Sequence, residues 1–153
     1  MSEQITLRQL TPAYQADCAH LLRQVFNQPP WNDNWTVERA AAYVQDFFGA
    51  PRFRGFAALD GTRLIGMCLG HVKLWWQADE YCLDEFCIHS DYQRRGLGGQ
   101  LFAHTRRQLA AEGVACCTLL TASGTPAEAF YSRQGFRRVD EMIFMVCEDQ
   151  MED

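Results

Sequence analysis

The sequence predicts a mixed α/β fold, a mostly antiparallel sheet ending in one parallel strand–helix–strand crossover, and three observations predict it. Residues 53–59 and 63–75 read as strands on either side of Asp60-Gly61, a dipeptide favoured in type I′ hairpin turns, so the two runs pair antiparallel. Residues 81–88 read as the next strand, followed by a glycine-rich turn, a helical pattern and a nearly all-apolar run at 114–120. That is the order of a parallel crossover whose last strand is covered on both sides. The length of 153 residues matches one domain over 1–153, and no repeat, low-complexity stretch or linker divides it.

The other elements follow in chain order. Ile5 and Leu7 alternate with Thr6 and Arg8 as a short first strand. Thr11-Pro12, an N-cap followed by proline at the first helical position, opens a helix. Its apolar residues Tyr14, Cys18, Leu21, Leu22, Val25 and Phe26 recur three and four apart, so that face is core. Prolines and turn formers at 27–35 leave a polar loop carrying Trp31 and Trp35, after which Thr36 caps a second helix with Val37, Ala40, Ala41, Val44 and Phe48 on its apolar side. In the crossover helix Leu97, Leu101, Phe102, Thr105 and Leu109 share one face, and Gly113 terminates it. Thr125-Pro126-Ala127-Glu128 is a capping box with proline at its first position, predicting a short helix to about Gln134 that Gly135 stops; a final strand is expected at 136–146.

Composition narrows the function. With 48% hydrophobic and 22% charged residues the chain is globular, and no run approaches the ~20 apolar residues that span a bilayer. Residues 1–4 lack the basic-then-apolar order of a secretory signal, so a cytoplasmic protein with no membrane partner is expected. A net charge of −5 argues against a nucleic-acid partner, despite the local pairs Arg94-Arg95, Arg106-Arg107 and Arg137-Arg138. The seven cysteines are odd in number and most sit in apolar, strand-like surroundings, which reads as buried free thiols. Cys82…Cys87, Cys116-Cys117 and Cys87-Ile88-His89 supply only half of a zinc-ligand pattern, so no metal is expected.

The chemistry concentrates where a strand ends in His89-Ser90-Asp91-Tyr92 and a helix opens within three glycines, Gly96, Gly98 and Gly99. Unpaired amides at a helix N-terminus, with the positive end of its dipole, bind phosphate without needing net positive charge. The alternative is that the glycines merely make a tight connection. Neither the Gly-Lys-Ser/Thr phosphate loop nor the dinucleotide fingerprint is matched.

These residues resemble a known family, the GCN5-related N-acetyltransferases. Gln93-Arg94-Arg95-Gly96-Leu97-Gly98 fits that family's central motif of Gln or Arg, two residues, Gly, one residue, then Gly or Ala. Leu83-Asp84-Glu85-Phe86-Cys87-Ile88-His89 looks like its fourth strand, and Ala127-Glu128-Ala129-Phe130-Tyr131-Ser132-Arg133-Gln134-Gly135-Phe136 like its C-terminal helix and turn. The resemblance implies the family fold, a mixed, mostly antiparallel sheet with a splayed parallel pair, strands 4 and 5, and helices on both faces. It implies acetyl-CoA as cofactor, with the amides of Arg94, Arg95, Gly96, Leu97, Gly98 and Gly99 beside Gln93 on the diphosphate and the main chain of Phe86, Cys87 and Ile88 along the pantetheine arm. It also implies that Tyr131 serves the departing thiolate. Where many members carry an asparagine seven residues before this tyrosine, this chain has Gly124.

Acetyl transfer to an amine benefits from a base, because amines are protonated at neutral pH. Asp84 aligns with an acidic residue of several family members, and Glu85 is its neighbour; strand alternation sends the two to opposite faces unless a bulge re-aims the strand. For the acceptor, Trp31, Trp35, Trp75 and Trp76, interleaved with Asp33, Asp79 and Glu80, supply aromatic faces beside carboxylates, which suits a small cationic amine. The same tryptophans would also suit a core or a dimer interface, and a homodimer is common in the family. A peptide or protein amine, and a non-catalytic acyl-CoA-binding module, remain the alternatives.

Overall fold

The computed structural model describes residues 4–151. The chain divides into two compact units, Met1–Leu120 and Thr121–Asp153. The first unit is built on a five-stranded sheet in the order β1-β2-β3-β4-β5, formed by β1 (Ile5–Gln9), β2 (Phe53–Asp60), β3 (Arg63–Leu74), β4 (Asp79–Ile88) and β5 (Cys116–Thr118). Neighbours pair antiparallel through β4, and β4 pairs with β5 in parallel, as the crossover pattern predicts. The helices of this unit are α1 (Gln15–Phe26), α2 (Val37–Gly49) and α3 (Leu97–Ala111).

The period-two alternation of the strands divides the core between two faces. Ala57, Met67 and Cys87 lie opposite one another on adjacent strands and join Leu59 and Leu69 in one buried cluster with Cys18, Leu21, Leu22 and Val25 of α1 and Ala40 and Val44 of α2. Phe56, Cys68 and Phe86, one residue out of step, turn the other way, where Phe86 meets Phe102 and Phe56 meets His104 on α3. Leu97, Leu101, Phe102, Thr105 and Leu109 of α3 are all buried, so the expected stripe is the packed one, and Thr105 satisfies its hydroxyl on the Leu101 carbonyl at 3.0 Å.

Several boundaries differ from the sequence expectation. Residues 12–14 form a 3-10 turn ahead of α1, and Thr11 makes no side-chain cap. Thr36 does cap α2, accepting from the Arg39 amide at 3.1 Å, but Val37 and Ala41 are exposed, and Tyr43, Phe47 and Phe48 share the packed side with Ala40 and Val44. Asp60 pairs with Arg63, so the hairpin loop is Gly61-Thr62, and Gly61 alone has positive φ, +60°, which is not the doubly left-handed type I′ turn.

The run 114–120 contributes only the three residues of β5, with Cys116 and Thr118 exposed and Leu120 79% exposed; it is not a strand covered on both faces. In the second unit the capping box holds: Thr125 accepts from the Glu128 amide at 3.3 Å, Glu128 accepts from the Gly124 amide at 3.0 Å, and α4 (Pro126–Arg133) follows. Residues 136–146 form no strand. Their apolar residues Met142, Ile143, Phe144, Met145 and Val146 are consecutive rather than alternating and lie exposed, so no single strand face collects them. All seven cysteines are free; Cys18, Cys68 and Cys87 are buried as expected, whereas Cys116 and Cys147 are exposed.

Candidate active site

The centre of the site is an irregularity in the β3–β4 ladder. Leu69 pairs with Glu85 but the next residue, Gly70, pairs with Leu83, so Asp84 is an extra residue on β4, a bulge. The bulge cancels the alternation that would separate the two carboxylates. Glu85, opposite Leu69, reaches the Tyr43 hydroxyl of α2 at 2.6 Å, and Asp84 reaches Nδ1 of His71 on β3 at 2.9 Å. Both acids therefore sit on the α2 side of the sheet. A cavity of ≈ 490 Å³, in the range that holds small ligands, is lined by Tyr43, Asp46, Phe47, Ala50, Pro51, His71 and Asp84.

The two acids differ in setting. Burial raises the Glu85 carboxyl above its ordinary range, the charges of Asp84 and Asp33 push the same way, and donation by the Tyr43 hydroxyl opposes them. Tyr43 is raised as well, by its own burial and by its bond to Glu85, so it remains a phenol and a hydrogen-bond donor. Asp84 is about one-third exposed and His71 somewhat more, which leaves that pair open to a ligand in the cavity.

The glycine-rich turn forms as a loop with two left-handed residues, Arg94 at φ +64° and Gly96 at φ +77°, and Gly96 occupies the N-cap of α3. The first intrahelical bond runs from Gln100 to the Gly96 carbonyl, so the amides of Leu97, Gly98 and Gly99 have no partner inside the helix. The loop is pinned from behind. The Tyr92 hydroxyl donates to Asp60 at 2.5 Å, Gln93 donates to the Ile88 carbonyl at 2.8 Å, and Arg95 donates to the Asp91 carbonyl at 2.9 Å. Gln93, Arg94, Arg95 and Gly96 are exposed, and a helix N-terminus with amides unpaired inside the helix favours an anion.

The parallel pair is splayed. β5 pairs only with Glu80, Tyr81 and Cys82, and from Leu83 to Ile88 the edge of β4 has no ladder partner on β5. Phe86, Cys87 and Ile88 lie in the part of β4 beyond the β5 ladder, and there they pair with Cys68, Met67 and Gly66 of β3. Burial holds three thiols on β3, β4 and β5 in the protonated form, Cys68 pushed up to about 12 and Cys117 to about 11, with Cys87 raised as well. Thiols held so firmly protonated are poor nucleophiles.

Tyr131 lies on α4 in the second unit, its ring edge-on to Phe130 and Phe136. Gly124, at φ +76°, precedes that helix. Of the tryptophans, Trp35 stacks on Tyr43 at 4.9 Å and donates its indole N–H to Asp33, which ties it to the cavity wall. Trp31 packs edge-on to Phe26, Lys73 sits over Trp75, and Trp76 is 80% exposed; none of the four lines the cavity that Asp84 opens into.

Two residues of the site escaped the sequence reading, His71 and Tyr43. The signal for His71 was the one polar side chain within the otherwise apolar run from Leu64 to Val72. The signal for Tyr43 was its i, i+4 relation to Phe47, one turn along the same helix face.

Comparison with known proteins agrees with this geometry. Residues 18–136 match the model of the acetyltransferase (GNAT) family. The [ribosomal protein bS18]-alanine N-acetyltransferase of Salmonella typhimurium is 32% identical over 109 residues, 67% of this chain and 71% of the relative. Among solved structures, an aminoglycoside acetyltransferase from an uncultured soil metagenomic sample aligns over 96% of this chain and 99% of its own, with a TM-score of 0.73 at 18% identity. The aminoglycoside N-acetyltransferase AAC(6′)-Iy in complex with CoA aligns over 97% and 98%, with a TM-score of 0.75 at 16% identity. A central motif on a splayed parallel pair, a family model over most of the chain and a relative at this identity agree, and the chain belongs to the GNAT family as an acyl-CoA-dependent N-acyltransferase.

Proposed function

We propose that the enzyme moves an acetyl group from acetyl-CoA directly to the primary amine of a small cationic molecule. The observation that carries this reading is the cavity beside the β4 bulge, where Asp46 and Asp84 with Glu85 behind them meet the rings of Tyr43 and Phe47. Carboxylates and aromatic faces together favour an ammonium group. Family members use acetyl-CoA, and the residues here fit it: Arg94 and Gly96 give the loop its two left-handed turns ahead of the α3 N-terminus, and β4 runs on beyond its ladder with β5 through Phe86, Cys87 and Ile88, where an amide-bearing arm could lie along it. When bound, acetyl-CoA supplies the acetyl group as a thioester. The chain's own work is then to hold the ammonium group at the bulge, to take its proton, and to shield the reacting atoms from water. Tyr131 as the proton donor to the departing sulfur is supported by the motif around it on α4, and Tyr131→Phe is expected to lower kcat while leaving acetyl-CoA affinity unchanged.

A peptide amine is the second reading, favoured by the relative whose named acceptor is the alanine of a ribosomal protein. Thiol release measured against a panel of diamines, aminoglycosides and amino acids, beside peptides of varied N-terminal residue, separates the two. Turnover on at least one small amine is expected, and activity confined to peptides would replace the first reading with the second.

A further inference from the structure

The two carboxylates that the strand offers for proton removal are both engaged. Glu85 accepts the Tyr43 hydroxyl at 2.6 Å and is largely buried, which raises its carboxyl above the ordinary range. Asp84 has one oxygen on Nδ1 of His71 at 2.9 Å. An ionised carboxylate can only accept, so Nδ1 carries the hydrogen, and in the neutral imidazole Nε2 then keeps its lone pair. Among the described residues Nε2 has no hydrogen-bond partner, and His71 lines the cavity with a side chain 41% exposed. A carboxylate that fixes the tautomer of an imidazole and leaves the other nitrogen free toward a ligand cavity is the arrangement of a general base with its orienting group.

We propose that His71 is the residue that takes the proton from the acceptor ammonium group, and that Asp84 positions it. In this step an N–H bond of the ammonium group breaks, an Nε2–H bond forms, and the amine lone pair is freed for attack. The positive charge passes to the imidazole, where Asp84 balances it, and the proton leaves to solvent after turnover. The groups that face His71 are Asp84 and the cross-strand Cys82 on β4, Tyr43 and Asp46 on α2, and Lys73 two residues on along β3, with Glu85 behind Tyr43. This inference rests on the proposed amine acceptor.

The test uses the full-length enzyme and the best amine from the panel. Wild type should lose kcat/KM toward acid pH, as a base that must be unprotonated requires, and His71→Gln should lower kcat by about 100-fold or more and flatten that limb. Asp84→Asn should cost less and shift the limb, acetyl-CoA affinity by calorimetry should be unchanged in both, and added imidazole should restore part of the rate of His71→Ala. Independently of activity, nitrogen-15 NMR of the imidazole should show hydrogen on Nδ1 in wild type. A neutral imidazole with its hydrogen on Nε2, or a His71→Gln enzyme that keeps the wild-type rate and pH profile, overturns the role of His71 while leaving the amine reading intact. Wild type inactive on every amine and peptide overturns the amine reading, and the base role with it.

Discussion

At the scale of single residues, the Tyr43–Glu85 pair shows how position alone sets chemistry. Two adjacent acids on one strand differ because one is buried against a phenol and the other faces a cavity. Because burial raises the folded-state pKa of Glu85, its contribution to stability is present below the ordinary carboxylate range and is lost as pH rises through the folded value. Glu85→Gln keeps an acceptor for Tyr43 without the buried charge. Its melting temperature relative to wild type should therefore be higher at pH 8 than at pH 5, and a difference that does not change with pH contradicts the assignment. Tyr43→Phe removes the donor instead and strands the carboxylate. It should cost about 1–3 kcal/mol in urea denaturation.

At the scale of elements, the bulge on β4 and the loop before α3 are held by glycines for two different reasons. Gly70 faces the bulge, and a Cβ there would lie 2.4 Å from the Cys82 carbonyl and 2.5 Å from the Tyr81 ring, whose hydroxyl donates to the Arg54 carbonyl at 2.8 Å. Gly70→Ala must move backbone or a buried ring, so a loss of about 1–3 kcal/mol is expected. A fall in kcat larger than the loss of stability explains would follow if the bulge then relaxes. Gly96 has open space around its missing Cβ, and only its φ of +77° demands glycine. Gly96→Ala is expected to strain the loop by about 1–2 kcal/mol and to weaken acetyl-CoA binding about tenfold by calorimetry, without a packing defect. The glycines were legible as a turn because helix and strand patterns stop around them. The bulge was not, because a one-residue insertion leaves a strand's composition unchanged.

At the scale of the whole molecule, a net charge of −5 should draw a cationic acceptor toward the site through long-range attraction. Raising ionic strength from about 0.02 to 0.5 M screens that attraction, so KM for the cationic amine should rise while kcat holds; a KM indifferent to salt argues for an uncharged acceptor. The sequence by itself determined the antiparallel β2–β3 pair, the parallel β4–β5 crossover, the α3 stripe from Leu97 to Leu109, the capped starts of α2 and α4, and the glycine turn before α3, because each is set by spacing between near neighbours. Tertiary structure alone decided that Asp84 and Glu85 share a face, that His71 and Tyr43 meet them, and that residues 136–146 form no strand. Those outcomes depend on register between strands and on which helix covers which face. Contacts between residues 13 and 42 positions apart fix both, and local periodicity carries no record of them.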